Sequence, residues 1–216
     1  LSKEQYKKIL HDYERQLKRV DIVCMQDYNK GFLSSEVCKK MIRLAKQAGK
    51  KVIVDPPLIS DYSKYIGVTL IKPNRKEASF STGFEINTID DAARAAEIII
   101  KKLKSEGVVI TLDKLGAFLK TKVINEIVPT RSRDVYDVTG AGDVVLATLA
   151  VTLAAGSGYK TAVEISNIAA GISVEKFGVT TVSVEEIMNE ILSDIHSKRE
   201  KVVLAPFVEG KSSTSI

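Results

Sequence analysis

A glycine-rich turn stands directly before an apolar segment in the last third of the chain, where residues 137–143 read Asp-Val-Thr-Gly-Ala-Gly-Asp. Glycines let a backbone approach a ligand and expose successive N–H groups at a helix N-terminus, which favours phosphate oxygens or a developing anion. Asp143 would lie in the first turn of that helix, close enough to accept a proton from an attacking hydroxyl. The turn therefore predicts a phosphate site with a general base. The alternative is a glycine turn whose aspartate only complements the helix dipole.

Polar residues also follow four apolar stretches whose length and composition predict buried strands, namely residues 21–25, 52–54, 68–71 and 108–112. These polar residues are Asp27 and Lys30 after the first stretch, Asp55 after the second, Asn74 and Glu77 after the third, and Asp113 after the fourth. Ligands of parallel α/β sheets bind beyond the carboxyl ends of the strands. We therefore expect these side chains to face one ligand site.

Helical patterns alternate with these strands. Helices are predicted over 3–19, from a cap at Ser34 or Ser35 to Gly49, from a capping box at Thr88 to Gly107, and over 143–155, 160–177 and 184–199. A hairpin is predicted within residues 116–128. The alternation predicts an α/β domain with a mainly parallel central sheet. This domain is expected to span residues 1–204, followed by a loose polar tail over 205–216.

Composition and charge exclude several classes of protein. The chain has 216 residues, a net charge of +5, 32 basic and 27 acidic side chains, and no tryptophan. The basic residues are interspersed with acidic ones and form no long run, so nucleic acid is not an expected partner. No apolar run approaches the length of a membrane span, and the N-terminus lacks a signal-peptide pattern. We therefore expect a cytoplasmic protein with no membrane partner.

The turn at residues 137–143 matches the signature of the ribokinase-like, or PfkB, carbohydrate kinases. In that family the last aspartate is the catalytic base and the Gly-Ala-Gly amides form an anion hole. The resemblance implies the base role for Asp143 and the anion hole for Gly140, Ala141 and Gly142. It also implies a three-layer α/β/α fold. The turn is not a Walker A loop, because the Gly-Lys-Ser/Thr ending is absent.

Residues 72–77, Lys-Pro-Asn-Arg-Lys-Glu, are similar to the Pro-Asn-x-x-Glu element of the same family. The resemblance implies that Asn74 and Glu77 organise Mg²⁺ and the ATP phosphates, largely through water. Such a sparse site is chemically sensible, because Mg²⁺ usually keeps several water ligands. Taken without the resemblance, Asn74 could be a turn residue and Glu77 a carboxylate in the first turn of a helix.

Further resemblances concern the nucleotide. Residues 111–116, Thr-Leu-Asp-Lys-Leu-Gly, occupy the place of a Thr-Leu-Gly-x-x-Gly loop in the family, with Asp113 in the place of the first glycine. Residues 166–171, Ser-Asn-Ile-Ala-Ala-Gly, match the helix that lines the adenine pocket. The implied ATP-binding residues are Thr111, Asp113, Gly116, Asp137, Thr139, Asn167 and Gly171. For Asn167 the alternative is a polar residue on a helix surface.

Residues 26–31, Gln-Asp-Tyr-Asn-Lys-Gly, resemble an Asp-Tyr-x-Lys-Gly loop of the heptose 7-phosphate kinases within the family. The stretches 135–143 and 167–183 resemble that group as well. The implied reaction transfers the ATP γ-phosphate to O1 of D-glycero-β-D-manno-heptose 7-phosphate, a small sugar phosphate, with Asp27 and Lys30 at the sugar. Two alternatives stay open: another ribokinase-like sugar or nucleoside kinase, and a non-catalytic nucleotide-binding module.

Some usual elements of the family have no counterpart in the sequence. These are the N-terminal strand with a sugar-binding aspartate, the Gly-Gly-Ala-x-Asn element and the strands of the lid. We therefore expect an N-terminally truncated kinase fold that is weak or inactive on its own, because acceptor positioning and water exclusion depend on those parts. Dimerisation is common in the family, so a homodimer is a further expectation.

Overall fold

The computed structural model describes residues 2–131 and 135–199. It divides into two compact units, residues 1–182 and residues 183–216. In the second unit a helix, Val184–Arg199, confirms the helix predicted there. It begins with a reciprocal cap in which Ser183 Oγ accepts from Glu186 N at 3.1 Å and Ser183 N donates to Glu186 Oε2 at 2.8 Å. The tail predicted over 205–216 lies outside the described residues.

The first unit alternates helices with strands. In chain order its α-helices are α1 (Lys3–Leu17), α2 (Ser35–Gln47), α3 (Arg75–Thr82), α4 (Ile89–Leu103), α5 (Ala141–Ala154) and α6 (Tyr159–Val174). Its strands are β1 (Ile22–Gln26), β2 (Lys51–Asp55), β3 (Leu70–Ile71), β4 (Gly107–Thr111), β5 (Ala117–Thr121) and β6 (Asn125–Val128). Short 3₁₀ helices lie at Ser63–Tyr65 and Asp113–Leu115. No helix in the described ranges is both long and apolar enough to cross a membrane.

All six strands belong to one sheet, in the order β1-β2-β3-β4-β5-β6. The pairs β1–β2, β2–β3 and β3–β4 are parallel, whereas β5 and β6 add an antiparallel hairpin to β4. The carboxyl ends of β1 to β4 therefore meet at one edge of the sheet. The strand register aligns the ends of the first two strands residue by residue, because Gln26 at the end of β1 is paired with Asp55 at the end of β2.

Successive residues of the strands belong to two different hydrophobic cores. Val52 and Val54 of β2 pack into one core with residues of α2 and α4, and Ile53 packs into the other with residues of α5 and α6. In β4, Val108 and Ile110 belong to the first core and Val109 to the second. Because side chains alternate across a strand, a strand buried on both faces needs a continuous apolar run. Helices therefore cover both faces of the sheet, which gives the expected three-layer α/β/α arrangement.

One local prediction, the end of helix α4, needs correction. Helix α4 was expected to end at Gly107, but it ends at Leu103 because Lys104 takes a left-handed conformation with φ of 52°. Gly107 instead begins β4, and an added Cβ would lie 3.0 Å from both Leu70 Cδ1 and Lys120 O. Close packing between strands, not the termination of a helix, therefore explains this glycine.

Candidate active site

A cleft of about 760 Å³ lies beyond the carboxyl ends of the parallel strands. It brings together most of the residues predicted for the site. The predicted residues that line it are Asp27, Asp55, Asn74, Glu77, Thr111, Asp113, Gly116, Gly140, Ala141, Gly142, Asp143, Asn167 and Gly171. Lys30, Asp137 and Thr139 are not among its lining residues. The lining residues come from six different stretches of the chain, so the fold, not local sequence, assembles them.

The N-terminus of α5 forms one wall of the cleft. Gly140 precedes the helix with φ of 81°, a left-handed conformation that costs a glycine little, and Asp143 lies in the first helical turn. Ala141 N donates to Val138 O at 3.2 Å. Within the described residues, the N–H groups of Gly142 and Asp143 have no backbone acceptor, as expected for the first turn of a helix. These amides are therefore available to an anion in the cleft.

Asp137 and Thr139 shape the turn from outside the cleft lining. Asp137 Oδ1 accepts a hydrogen bond from Thr139 N at 2.9 Å, which closes a local turn just before Gly140. Hydrogen bonds from Thr139 hold the pKa of Asp137 below its usual value. The structure therefore gives these two residues a supporting position behind the glycines.

A buried ion pair forms the floor of the cleft beneath this turn. Lys72 Nζ lies 3.0 Å from Asp55 Oδ2, and the two side chains are only 3% and 9% exposed. A Cβ added to Gly142 would lie 3.7 Å from Lys72 Nζ and 3.9 Å from Asp55 Oδ2. Because Gly142 has no side chain, no side-chain atom at this position separates the backbone of the turn from the Lys72–Asp55 pair. The positive charge of Lys72 lies next to the free amides.

The charge state of Asp55 depends on this pairing. Burial raises the pKa of Asp55 above its usual value, although the ammonium group of Lys72 and a hydrogen bond from Gln26 oppose the shift. The other polar atom of the same amide, Gln26 Oε1, is buried and has no partner in the described part of the chain. A buried acceptor without a donor is costly, so Gln26 Oε1 is a strained polar group beside the cleft that Gln26 lines.

Asn74 and Glu77 form a capping box at the start of α3. Asn74 Oδ1 accepts from Glu77 N at 2.9 Å, and Asn74 N donates to Glu77 Oε2 at 2.7 Å. The turn and first-turn positions expected for them without the resemblance are thus real, and both residues also line the cleft. Burial raises the pKa of Glu77 above its usual value, although the N–H of Asn74 opposes the shift.

The oxygen donors around the cleft fit a sparsely ligated Mg²⁺. Within the described residues no group of three or more His, Cys, Asp or Glu side chains could enclose a metal ion. The carboxylate of Asp55 is nevertheless close enough to raise the pKa of Glu77, and the carboxylate of Asp143 is close enough to raise the pKa of Asp55. A hard cation that keeps several waters suits this set of few carboxylates, and it would relieve their mutual repulsion.

The loop after β4 departs from a Gly-x-x-Gly sequence for a structural reason. Asp113 has φ of 55°, the left-handed region that favours glycine and that aspartate tolerates better than most residues. Its carboxylate accepts from Arg75 Nε at 3.1 Å. Arg75 also donates to the carbonyl oxygens of Ile86 and Leu112. Arg75, the first residue of α3, therefore fixes the loop in the absence of a glycine.

Gly116 is the position in this loop where no side chain is tolerated. Its φ is +95°, and an added Cβ would lie 2.3 Å from Val128 O and 2.7 Å from Thr130 N. Gly116→Ala is expected to lower the free energy of unfolding by about 2–5 kcal/mol, because backbone strain and overpacking add. Urea unfolding measures the loss. Gly49→Ala is the matched control, since Gly49 has φ of +68° but nothing within 4 Å. Equal losses in the two variants would contradict the backbone clash at Gly116.

Asn167 links α6 to the end of the hairpin. It is 7% exposed, and its Nδ2 donates to Val128 O at 2.8 Å and to Pro129 O at 3.3 Å. The alternative of a residue on a helix surface is therefore wrong. Asn167 still reaches the cleft, and it positions the segment that packs against Gly116.

Asp27 is almost fully engaged inside the protein. Its Oδ2 accepts from Lys64 Nζ and from the Tyr65 hydroxyl, each at 2.6 Å, and its Oδ1 accepts from Asn29 N at 2.7 Å. The carboxylate is 3% exposed. Its observed contacts anchor the loop after β1, so sugar binding by Asp27 stays a prediction. The same holds for Lys30, which lies outside the cleft lining.

This anchor predicts a specific pH dependence of stability. Burial opposes ionisation of Asp27, but the hydrogen bonds from Lys64, Tyr65 and Asn29 N–H lower its pKa below 3.8. Stability from this group is therefore present above pH 3.8 and is lost as the pH falls towards the lower folded-state value. Urea midpoints measured between about pH 5 and pH 2 should fall less steeply in Asp27→Asn than in the wild type. Parallel curves for the two proteins would contradict this contribution.

Similarity to known proteins identifies the family of this chain. Residues 1–187 match the pfkB family of carbohydrate kinases. The chain belongs to that family. Two curated relatives, each named bifunctional protein HldE, come from Desulfatibacillum aliphaticivorans and Campylobacter fetus subsp. fetus. They are 39% and 42% identical to the chain over 99% and 84% of its length, and the matches span 43% and 39% of those proteins. The chain thus spans about two fifths of the length of these relatives.

Solved structures agree with the fold of this PfkB family member. A ribokinase from Thermotoga maritima matches with a TM-score of 0.70 and 28% identity, over 87% of this chain and 61% of that one. Phosphofructokinase-2 from Escherichia coli matches with a TM-score of 0.76 and 22% identity, over 89% and 63%. The ribokinase-like α/β fold expected from the sequence is therefore confirmed.

Among the cleft residues that the sequence analysis does not single out, three bear on the chemistry of the site: Gln26, Tyr28 and Lys72. Lys72 belongs to the Lys-Pro-Asn-Arg-Lys-Glu stretch. The sequence alone does not indicate it as a site residue, because a lysine side chain is usually solvated. A sequence signal for it exists, because it directly follows a buried strand, as Asp55 does. Tyr28 is next to Asp27 in the loop, and only the folded structure shows that it faces Asp143.

Proposed function

We propose that this PfkB family chain carries an ATP-dependent phosphotransfer site that acts on a sugar hydroxyl, with Asp143 as the general base. The observation that carries the proposal is the N-terminus of α5. There the free amides of Gly142 and Asp143, the carboxylate of Asp143 and the buried ammonium of Lys72 surround one end of the cleft. Positive groups and a base at one point suit a phosphoryl group and the hydroxyl that attacks it.

In the proposed step the acceptor oxygen attacks the γ-phosphorus of ATP and a new O–P bond forms. The bond between the γ-phosphorus and the β,γ-bridging oxygen breaks, and its electron pair leaves with ADP. Asp143 accepts the proton of the acceptor hydroxyl. The amides of Gly140, Ala141 and Gly142, of which that of Ala141 donates to Val138 O in this structure, and the ammonium of Lys72 would stabilise the charge on the transferred phosphoryl oxygens.

Mg²⁺ bound with ATP would neutralise part of the phosphate charge, and Asn74 and Glu77 would hold it through water. Thr111, Asp113, Gly116, Asn167 and Gly171 line the part of the cleft proposed for the nucleotide. Gly116 and Asn167 keep the end of the hairpin in place there. Asp137 and Thr139 support the glycine turn.

The proposed acceptor is O1 of D-glycero-β-D-manno-heptose 7-phosphate. The similarity of residues 26–31, 135–143 and 167–183 to heptose 7-phosphate kinases supports this substrate. We also propose that residues 1–204 form the kinase part, that the reaction takes place in the cytoplasm, and that a homodimer is its working form.

Product analysis tests the function directly. The 216-residue chain is incubated with ATP, Mg²⁺ and either heptose 7-phosphate, ribose or fructose 6-phosphate, and ADP formation is followed. We expect ADP with the heptose, formed at the low rate that the sequence predicts for this chain, and phosphorus NMR should show a new phosphate on its anomeric carbon. Faster transfer to ribose or fructose 6-phosphate would favour another kinase of the family. ATP binding in calorimetry without transfer to any sugar would favour the non-catalytic module.

A further inference from the structure

Tyr28 brings a phenol hydroxyl to the carboxylate of Asp143 across 115 residues of sequence. The hydroxyl oxygen lies 3.4 Å from both Asp143 Oδ1 and Asp143 Oδ2. The ring is 63% exposed and lines the cleft. A large aromatic side chain that is so exposed would ordinarily be free to adopt several rotamers. Here it faces the residue that we propose as the base.

The backbone on both sides of Tyr28 is held. Asp27 is fixed by Lys64, Tyr65 and Asn29 N, as described above. Asn29 is in the left-handed region with φ of 55° and donates its N–H to the Asp27 carboxylate. This turn leaves little freedom to the one residue between Asp27 and Asn29. The buried contacts beneath the loop therefore fix the backbone from which the exposed side chain of Tyr28 reaches Asp143.

The contact reproduces the chemistry of the acceptor. A sugar hydroxyl must donate its proton towards Asp143 before it attacks, and the phenol hydroxyl is a donor of the same kind. Desolvation and the negative charge of Asp143 raise the pKa of Tyr28 above its usual value, so the phenol keeps its proton at neutral pH. The phenol oxygen is equidistant from the two carboxylate oxygens, so it occupies the region between them into which an acceptor hydroxyl would donate.

We propose that Tyr28 is a positioning residue whose hydroxyl stands in for the acceptor hydroxyl on Asp143 until the sugar displaces it. While it is in place, the phenol hydroxyl occupies the position between the two carboxylate oxygens from which an attacking water would pass its proton to the base. Wasteful hydrolysis, in which a water oxygen attacks the γ-phosphorus, ADP leaves and Asp143 takes the proton, is thereby suppressed. The inference rests on the proposed function, because it takes Asp143 as the base.

Tyr28→Phe removes only the hydroxyl and tests the proposal. Loss of the hydrogen bond from Tyr28 to Asp143, which competes with the acceptor, should change the acceptor-binding equilibrium by about 3- to 10-fold. We expect hydrolysis of ATP without sugar to rise by about this factor, and the acceptor to bind more tightly by about the same factor. The acceptor affinity is measured by calorimetry with a non-hydrolysable ATP analogue, so this readout needs no turnover. Tyr6→Phe on α1, away from the cleft, is the matched control and should change neither quantity.

Several outcomes would overturn the proposal. Weaker acceptor binding in Tyr28→Phe would make Tyr28 a sugar contact, and unchanged hydrolysis with unchanged affinity would leave it no role at the base. If no sugar binds at all, ultraviolet titration of the phenol decides. We expect Asp143→Asn to lower the pKa of Tyr28, and an unaltered titration would refute the contact. These results are separate from the failure of the proposed function, which would show as undiminished turnover in Asp143→Asn.

Discussion

Replacing Asp143 by asparagine is expected to lower kcat for phosphotransfer by about 10²- to 10⁴-fold, because the amide keeps the shape of the carboxylate but cannot accept the proton. Affinity for Mg²⁺-ATP should stay within about twofold, since the backbone amides of the turn remain in place. Turnover is measured by ADP release and affinity by calorimetry on the same preparation.

The structure makes this variant easy to interpret. Asp143 is exposed, and within the described residues it takes part in no ion pair, so its replacement should leave folding nearly intact. The expected cost is about 0.3–1 kcal/mol from the lost interaction with the helix dipole. Asp90→Asn is the control, because Asp90 is also an acidic residue in the first turn of a helix, α4, and lies outside the cleft lining. Full activity in Asp143→Asn would remove the base from the proposal.

Lys72→Met should lower both stability and activity. Removing one partner of a buried ion pair leaves an uncompensated charge, which costs about 3–5 kcal/mol in the free energy of unfolding. The loss of a positive group next to the phosphoryl site should also lower kcat by about 10²- to 10³-fold. Urea unfolding and ADP release measure the two effects separately.

A second substitution, at Asp55, separates the effect of Lys72→Met on stability from its effect on activity. In Lys72→Met with Asp55→Asn no buried charge is left unpaired, so most of the lost stability should return. Activity should remain low because the ammonium group is still missing. Lys64→Met, which breaks the other buried pair with Asp27, should destabilise the protein and keep Mg²⁺-ATP affinity, since Lys64 is outside the cleft lining. Recovery of activity in the double variant would show that Lys72 serves folding alone.

The elements that local patterns specify could be predicted from the sequence. The caps at Ser34 and Thr88 are present, and the apolar runs of β2 and β4 are buried on both faces as a parallel sheet requires. Helix α3 is anticipated only by the alternative that puts Glu77 in a first helical turn, because eight residues give too short a periodic pattern to predict its extent. The end of α4 was misplaced, because glycine signals a helix end and a close approach of strands equally well.

Contacts between segments that are distant in the chain could not be predicted from the sequence. The anchor of Asp27 involves Lys64 and Tyr65, which are 37 and 38 residues away. The motif at residues 26–31 marked Asp27 as a sugar ligand, but it could not show that buried donors already satisfy the carboxylate. Likewise, Lys72 becomes a candidate only when the sheet places it under Gly142. Local patterns name the residues of such a site, and tertiary structure decides which of their atoms are free.

The alternation of each parallel strand between two cores has an evolutionary consequence. Val52, Ile53 and Val54 are each committed to a core, so their replacement disturbs packing. Asp55, one residue later, is committed to neither and faces the cleft. Changes at strand-end positions of this kind can therefore alter the cleft while the packing of the sheet is preserved. At Asp55 such a change must be matched by one at Lys72, because the two form a buried ion pair.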